Sequence, residues 1–221
     1  MENLYVLPIL LFSIVIHEIS HGWMALKLGD PTARDLGRLT LNPIPHIDPV
    51  GSILVPLMSY IAAGTVFIAW AKPVPVNPMH FSNYRRDDIL VSVVGPVSNL
   101  LIALACSILY VLFTKFTGDV EGENIGVLQY SSMFFTQMFS YGIAMNIYLA
   151  VFNLIPVPPL DGSHVVSSLL PPQLGERYRQ IGFAGILIII LLMRLQPVRD
   201  AVVSTVQFIL VPYVLLINML S

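Results

Sequence analysis

Two imidazoles and a carboxylate open the chemistry of this chain, in the run His17-Glu18-Ile19-Ser20-His21. Four residues apart, His17 and His21 stand one helical turn from each other, about 6 Å along the axis, and project from one face. Imidazoles so placed bind zinc, and a carboxylate beside them moves a proton of the water the metal activates. The run lies inside an apolar stretch, Leu4 to Leu28, long enough to cross a bilayer. Ionisable groups at membrane depth are costly and persist only when paired, hydrated or bound to something. A chance match, or two histidines bonded to neighbouring helices, is the competing explanation, and the apolar setting weighs against it.

Composition fixes that setting. Apolar residues make up 56% of the 221 residues and charged residues 11%, with a mean hydropathy of +0.78. A soluble domain carries about 25% charge, so the deficit points to a polytopic membrane protein. A net charge of −2 is no footprint for nucleic acid. The single cysteine, Cys106, excludes an intramolecular disulfide and lies in an apolar run that suits a small buried residue. Met1, Glu2 and Asn3 lack the basic start of a secretory signal. Hydrophobic segments take up nearly all of the chain, leaving no room for a soluble accessory domain.

Six apolar segments must position the histidines: Leu4–Leu28, Val50–Trp70, Ile89–Phe113, Phe134–Val157, Ile181–Met193 and Ala201–Leu220. The fifth is short for a crossing unless extended toward Val198. The polar stretch Gly29–Pro49 contains Arg38-Leu39-Thr40-Leu41, whose alternation predicts a short strand or hairpin at the membrane surface. The second segment carries Pro56 and Gly64 and runs into Lys72-Pro73-Val74-Pro75-Val76-Asn77-Pro78. If all six segments cross, lysine and arginine divide six against five between the two faces, which orients nothing. If the second segment dips in and returns, the division is eight against three, with the acidic loop Asp119–Glu123 on the poorer side. The positive-inside rule favours the second arrangement. The expected fold is an all-α polytopic membrane protein of five to six segments, with a small membrane-associated β-element and a re-entrant second segment. It forms a single domain over 1–221, with a catalytic core over about 4–164 and a C-terminal helical hairpin over about 181–220. The N-terminus is expected outside, with the C-terminus and the site's opening in the cytoplasm.

Catalytic zinc usually has three protein ligands and an open position. The candidates for the third are Asp161, His46, Asp48, His80, His164 and the acidic loop. Asp161 stands out because Asn153-Leu-Ile-Pro156-Val-Pro158-Pro159-Leu160-Asp161-Gly162 cannot continue a regular helix. Broken helices at membrane depth mark sites in membrane proteins. With a re-entrant second segment, segments one and four run the same way and bring Asp161 to the inner ends of His17 and His21. A full crossing would put it on the opposite side.

His17-Glu18-x-x-His21, Gly95-Pro96-x-x-Asn99 and Asn153-x-x-Pro156…Leu160-Asp161-Gly162 together resemble the site-2 proteases, the intramembrane zinc metalloproteases. The resemblance covers Leu4 to His164 and implies one zinc per chain, held by His17, His21 and Asp161, with Glu18 as general base and acid. It implies that Asn153 and Asn99 lie close to the site, binding substrate backbone or shaping the cleft, and that Arg34–Asn42 corresponds to the family's membrane-associated β-element. No PDZ domain separates the second and third motifs and no CBS pair follows them, as in the short class. There, Asn42-Pro43-x-x-His46-x-Asp48-Pro49 and Lys72-Pro73-Val74-Pro75 are also familiar.

His164, one turn past Asp161, is a candidate for orienting that carboxylate. His46 and Asp48 lead into the re-entrant segment and are candidates for capping or gating. Arg85-Arg86-Asp87-Asp88 reads as an interfacial anchor, and Trp23 and Trp70 suit interfacial belts. The expected activity is hydrolysis of peptide bonds within or next to transmembrane segments of membrane proteins, in a prokaryotic cytoplasmic membrane. A divalent-metal transporter, or a scaffold that binds transmembrane helices without cutting, are the alternatives.

Overall fold

The computed structural model describes residues 6–55, 57–58, 61, 70–117, 127–182 and 184–220. Most of the expected re-entrant segment, with Pro56 and Gly64, and the acidic loop Asp119–Glu123 lie outside the described residues. The helices are α1 (Val6–Lys27), α2 (Thr32–Asp35), α3 (Tyr84–Thr117), α4 (Val127–Asn153), α5 (Asp161–Leu169), α6 (Pro172–Arg179), α7 (Ala184–Arg194) and α8 (Gln196–Leu220). Three of them, α1, α3 and α8, are long and apolar enough to cross a membrane. The 27-residue α4 starts and stops earlier than the apolar run Phe134–Val157 suggests. Its end at Asn153 follows from Pro156, which drives the residue before it out of helical geometry.

Two expectations need correction. The fifth apolar segment forms α7, whose 11 residues reach about 17 Å, short of a hydrocarbon core of about 30 Å. It does not extend toward Val198, because the chain breaks at Leu195, where Pro197 in the first turn of α8 has no N–H to continue the ladder. The strand expected over Arg38–Leu41 does not form, and no strand occurs among the described residues. The physical reason lies in the segment that passes Arg38. Pro73 and Pro75 have no N–H to give a ladder. Four further donors are taken elsewhere: Trp70 N–H by Gly51 O (3.1 Å), Lys72 N–H by His46 O (2.9 Å), Val74 N–H by the Glu18 carboxylate (2.8 Å) and Asn77 N–H by the Asp30 carboxylate (2.6 Å). Residues 70–77 form an extended strap, pinned where Arg38 Nη2 donates to Lys72 O (2.9 Å) and Pro73 O (3.3 Å).

The bundle is built on α1, α3 and α4. His17 meets Asn99 and His21 meets Val91, so α1 and α3 are antiparallel. Asn99 meets Asn146 and Phe113 meets Phe139, so α3 and α4 are antiparallel too. Helices α1 and α4 therefore run the same way. Ile9, Ile102, Ala103, Cys106, Met138, Phe139, Ile143 and Ile147 fill the space between them, with α8 packed on the outside. Tyr213 of α8 donates its hydroxyl to Leu100 O (3.1 Å). In lipid there is little hydrophobic drive between helices, so such packing and interhelical hydrogen bonds hold the bundle. The polar groups gather at one end of this core.

Candidate metal centre

At that end three donors from two distant parts of the chain converge. His17 and His21 project from α1, and Asp161 opens α5, immediately after the proline-broken stretch 154–160. A carboxylate in a first helical turn is favoured by the helix's positive end. Gly162 lets the turn close, since a Cβ there would strike the Leu154 carbonyl. His17 Nε2 lies 3.1 Å from His21 Nε2 and 3.1 Å from Asp161 Oδ2, and His21 Nε2 lies 3.4 Å from Asp161 Oδ1.

The donors fit a zinc ion. Nitrogen and oxygen ligands at about 2.0–2.1 Å in a tetrahedron sit about 3.3 Å from each other, close to all three separations. His17 Nδ1 is 2.5 Å from Asn99 Oδ1, and His21 Nδ1 is 2.7 Å from Val91 O. Both partners are acceptors, so each Nδ1 carries its proton and each Nε2 turns a lone pair toward the other. Two lone pairs at 3.1 Å repel unless a cation lies between them. Buried Asp161 Oδ2, which makes no hydrogen bond, faces the same point. These three form the one group of metal-ligating side chains found among the described residues.

Helix α3 is shaped to admit the imidazoles. Gly95 removes a side chain and Pro96 removes a ladder donor at the level where α1 presses in. A Cβ at Gly95 would stand 2.5 Å from His21 Cε1 and 2.7 Å from His17 Cε1, and would strike His21 Nε2. Glu18 points to the side of α1 where the strap crosses, and its Oε2 accepts the Val74 N–H.

Of the other expected site residues, Asn99 lies directly behind the donors, and the rest have other hydrogen-bond or ion-pair partners. Asn99 is fully buried, with Oδ1 on His17 and Nδ2 donating to Asn146 Oδ1 (2.9 Å), so its amide serves the imidazole. Asn153, half-buried at the end of α4, donates to Leu149 O of its own helix (3.0 Å). His164 Nδ1 faces another carboxylate, 3.6 Å from Asp88 Oδ1. Its bond to that carboxylate holds the imidazole above its usual pKa. His80 Nδ1 pairs with Asp30 Oδ1 (2.8 Å), outside the metal group. His46 is buried with Nε2 on Thr40 O (3.0 Å). Asp48 caps the turn Pro49–Leu54, accepting from Val50 N (2.9 Å) and Gly51 N (2.6 Å).

The presumed interfacial anchor is also different in kind. Arg85 and Arg86 are exposed, but Asp87 and Asp88 point inward and are buried. Asp87 caps Asn83 N (2.9 Å), and Asp88 Oδ2 takes Arg179 Nη2 (3.0 Å) and Ser168 Oγ (2.5 Å). A buried carboxylate needs such partners, and α5 and α6 supply them to Asp88. Trp70 packs on Gly51, whereas Trp23 is half-exposed beneath the Lys27 ammonium.

Asn146 had not been anticipated. It is fully buried in α4, two helical turns before Asn153. An amide in the middle of an apolar run is a signal of the same kind as the histidines, since polar groups at membrane depth mark function or a partner.

The sequence matches peptidase family M50 over residues 5–193. It is 38% identical over 188 residues to YwhC of Bacillus subtilis, a protein that carries a zinc metalloprotease name, covering 85% of this chain and 79% of that one. Rip2 of Mycolicibacterium smegmatis, with a name of the same kind, is 27% identical over 183 residues, 83% of this chain and 64% of Rip2. Rip2 of Mycobacterium tuberculosis is 29% identical over 163 residues, 74% of this chain and 56% of that protein. The chain thus spans less than two thirds of the length of either Rip2. No solved structure matches it. With the family match covering most of its length, the chain belongs to peptidase family M50, the site-2 protease family, and is a membrane zinc metalloprotease.

Proposed function

We propose that this protein hydrolyses peptide bonds within or next to the transmembrane segments of membrane-protein substrates. The observation that carries the proposal is the convergence of His17, His21 and Asp161 at one end of an apolar helix core, with Glu18 beside them. His17, His21 and Asp161 would hold the metal, a nitrogen and oxygen donor set that catalytic zinc accepts. Zinc, when bound, would lower the pKa of a water held there to about 7 and polarise the scissile carbonyl. Glu18 takes the proton of the attacking water and gives it to the leaving amine. The Val74 N–H holds the Glu18 carboxylate in place for both transfers. A helical substrate hides its carbonyls in hydrogen bonds, so it must unwind locally before attack. Asn153, at the end of α4, is available to bind the unwound backbone once it releases Leu149 O.

The finer topology is part of the same proposal. Antiparallel α1 and α3 support a second segment that returns to the side it left. The eight-against-three division of lysine and arginine then supports an outside N-terminus and a site opening to the cytoplasm. A metal transporter would have no use for Glu18 against the imidazoles, and a non-cleaving scaffold would not need the full donor set. Reconstituted with a membrane substrate, Glu18→Gln should retain zinc and lose cleavage by at least 100-fold, about the contribution of general acid–base catalysis. Retained turnover would sink the mechanism.

A further inference from the structure

We propose that Asn146 is a positioning residue of the metal centre, fixing the Asn99 amide and, through it, the tautomer and aim of His17. The inference rests on the metal-binding role of His17 proposed above. The two ends of a primary amide have nearly the same shape, and only the partners decide which end faces where. His21 needs no such help, because its Nδ1 meets the Val91 carbonyl, which can only accept. His17 instead meets a side-chain amide that could turn either way.

The ambiguity is removed two residues further on. Asn146 Nδ2 donates to Gly142 O (2.9 Å), a backbone carbonyl that only accepts. Asn146 Oδ1 must then face Asn99 and accept from Asn99 Nδ2 (2.9 Å). Asn99 Oδ1 is left facing His17 Nδ1, which must carry the proton, so Nε2 offers its lone pair to the metal. Asn99 and Asn146 are both fully buried, so no water can replace a missing link. Without Asn146, the Asn99 amide can flip and set an N–H against His17 Nδ1. His17 then carries its proton on Nε2 and cannot ligate.

The alternative is that Asn146 merely ties α3 to α4, in which case its loss lowers stability and leaves zinc affinity alone. The test is zinc titration of the stripped, detergent-solubilised chain against a competing chelator. Asn146→Leu should weaken zinc binding about 10- to 100-fold, the usual effect of removing a partner behind a ligand. Asn146→Asp keeps an acceptor toward Asn99, and its protonated form can donate to Gly142 O, so it should largely restore affinity. In an Asn99→Ala background, Asn146→Leu should add no further loss. A measurement without substitution makes the same demand: long-range ¹H–¹⁵N spectra of the zinc-free protein should place the His17 proton on Nδ1. An Asn146→Leu chain that binds zinc within about twofold of the parent, or a proton on Nε2, overturns the inference. A parent chain that binds no zinc would instead overturn the metal-binding role of His17.

Discussion

Gly95→Ala adds one methyl group where α3 meets the two imidazoles, and its effect follows from the geometry. The new Cβ would lie 2.5 Å from His21 Cε1 and 2.7 Å from His17 Cε1, about 1 Å inside ordinary carbon–carbon contact. Neither ring yields freely, since Asn99 holds His17 and the Val91 carbonyl holds His21. Relief requires a ring shift of about 1 Å or a separation of α1 from α3, and a metal site tolerates about 0.2 Å. Overpacking a tight interior costs about 1–3 kcal/mol. If that strain is released only by giving up the ligand geometry, zinc affinity falls roughly 10- to 100-fold. Chelator competition on purified protein reads this directly, with thermal unfolding alongside. Gly51→Ala is the control: its Cβ would strike the Trp70 ring, a clash that involves none of the three donors or the groups behind them. That variant should lose stability and keep its zinc affinity. Wild-type affinity in Gly95→Ala would refute the claim that this glycine exists to admit the imidazoles.

Two further outcomes follow from the strap. Arg38→Met removes the donor to Lys72 O and Pro73 O, and hydrogen bonds from a charged group contribute about 1.5–3 kcal/mol. The strap should loosen its hold on Glu18, lowering the cleavage rate about tenfold or more with zinc content unchanged. Parallel loss of zinc would contradict that route. Arg38→Lys should rescue in part, because both bonds leave the single nitrogen Nη2 and an ammonium also carries enough N–H donors for two carbonyls. Asp30, fully buried, ties the strap to the end of α1. Burial acts to raise its pKa, but bonds from the Thr32 hydroxyl, Asn77 N–H, His80 and Thr32 N–H outweigh it and hold the carboxyl below 3.8. A depressed folded value contributes stability that is full above about pH 4 and fades as pH falls through that value. Asp30→Asn should therefore unfold more readily than the parent at pH 7, and the gap should narrow below pH 4. A gap independent of pH would refute the role of the ionised carboxylate.

How far the sequence reaches differs from residue to residue. The pairing of His17 with His21 follows from helical period, and the break before Asp161 follows from proline chemistry. Both are local rules, and they identify the donors that the fold brings together across more than a hundred residues. The groups behind the donors were less legible. Val91 contributes a carbonyl, which leaves no trace in residue type. Asn146 was visible as an amide in an apolar run, but only the packing of α3 on α4 shows what it holds. The expected strand failed because its alternation said nothing about a partner, and the passing segment had lost its donors to Pro73 and Pro75. Asp87 and Asp88 read as surface charges beside two exposed arginines. Asp87 is bonded locally to Asn83 N, whereas the burial of Asp88 depends on Arg179 and Ser168, which lie in helices that arrive from much later in the chain.

Zinc content of the purified protein beside that of Asp161→Ala tests the central claim most directly. The account predicts about one zinc per chain in the parent and a small fraction of that in the variant, with the helical bundle intact in both. Equal zinc in the two would contradict the three-donor centre, and with it the arrangement of α1 and α5 on which the proposed chemistry depends.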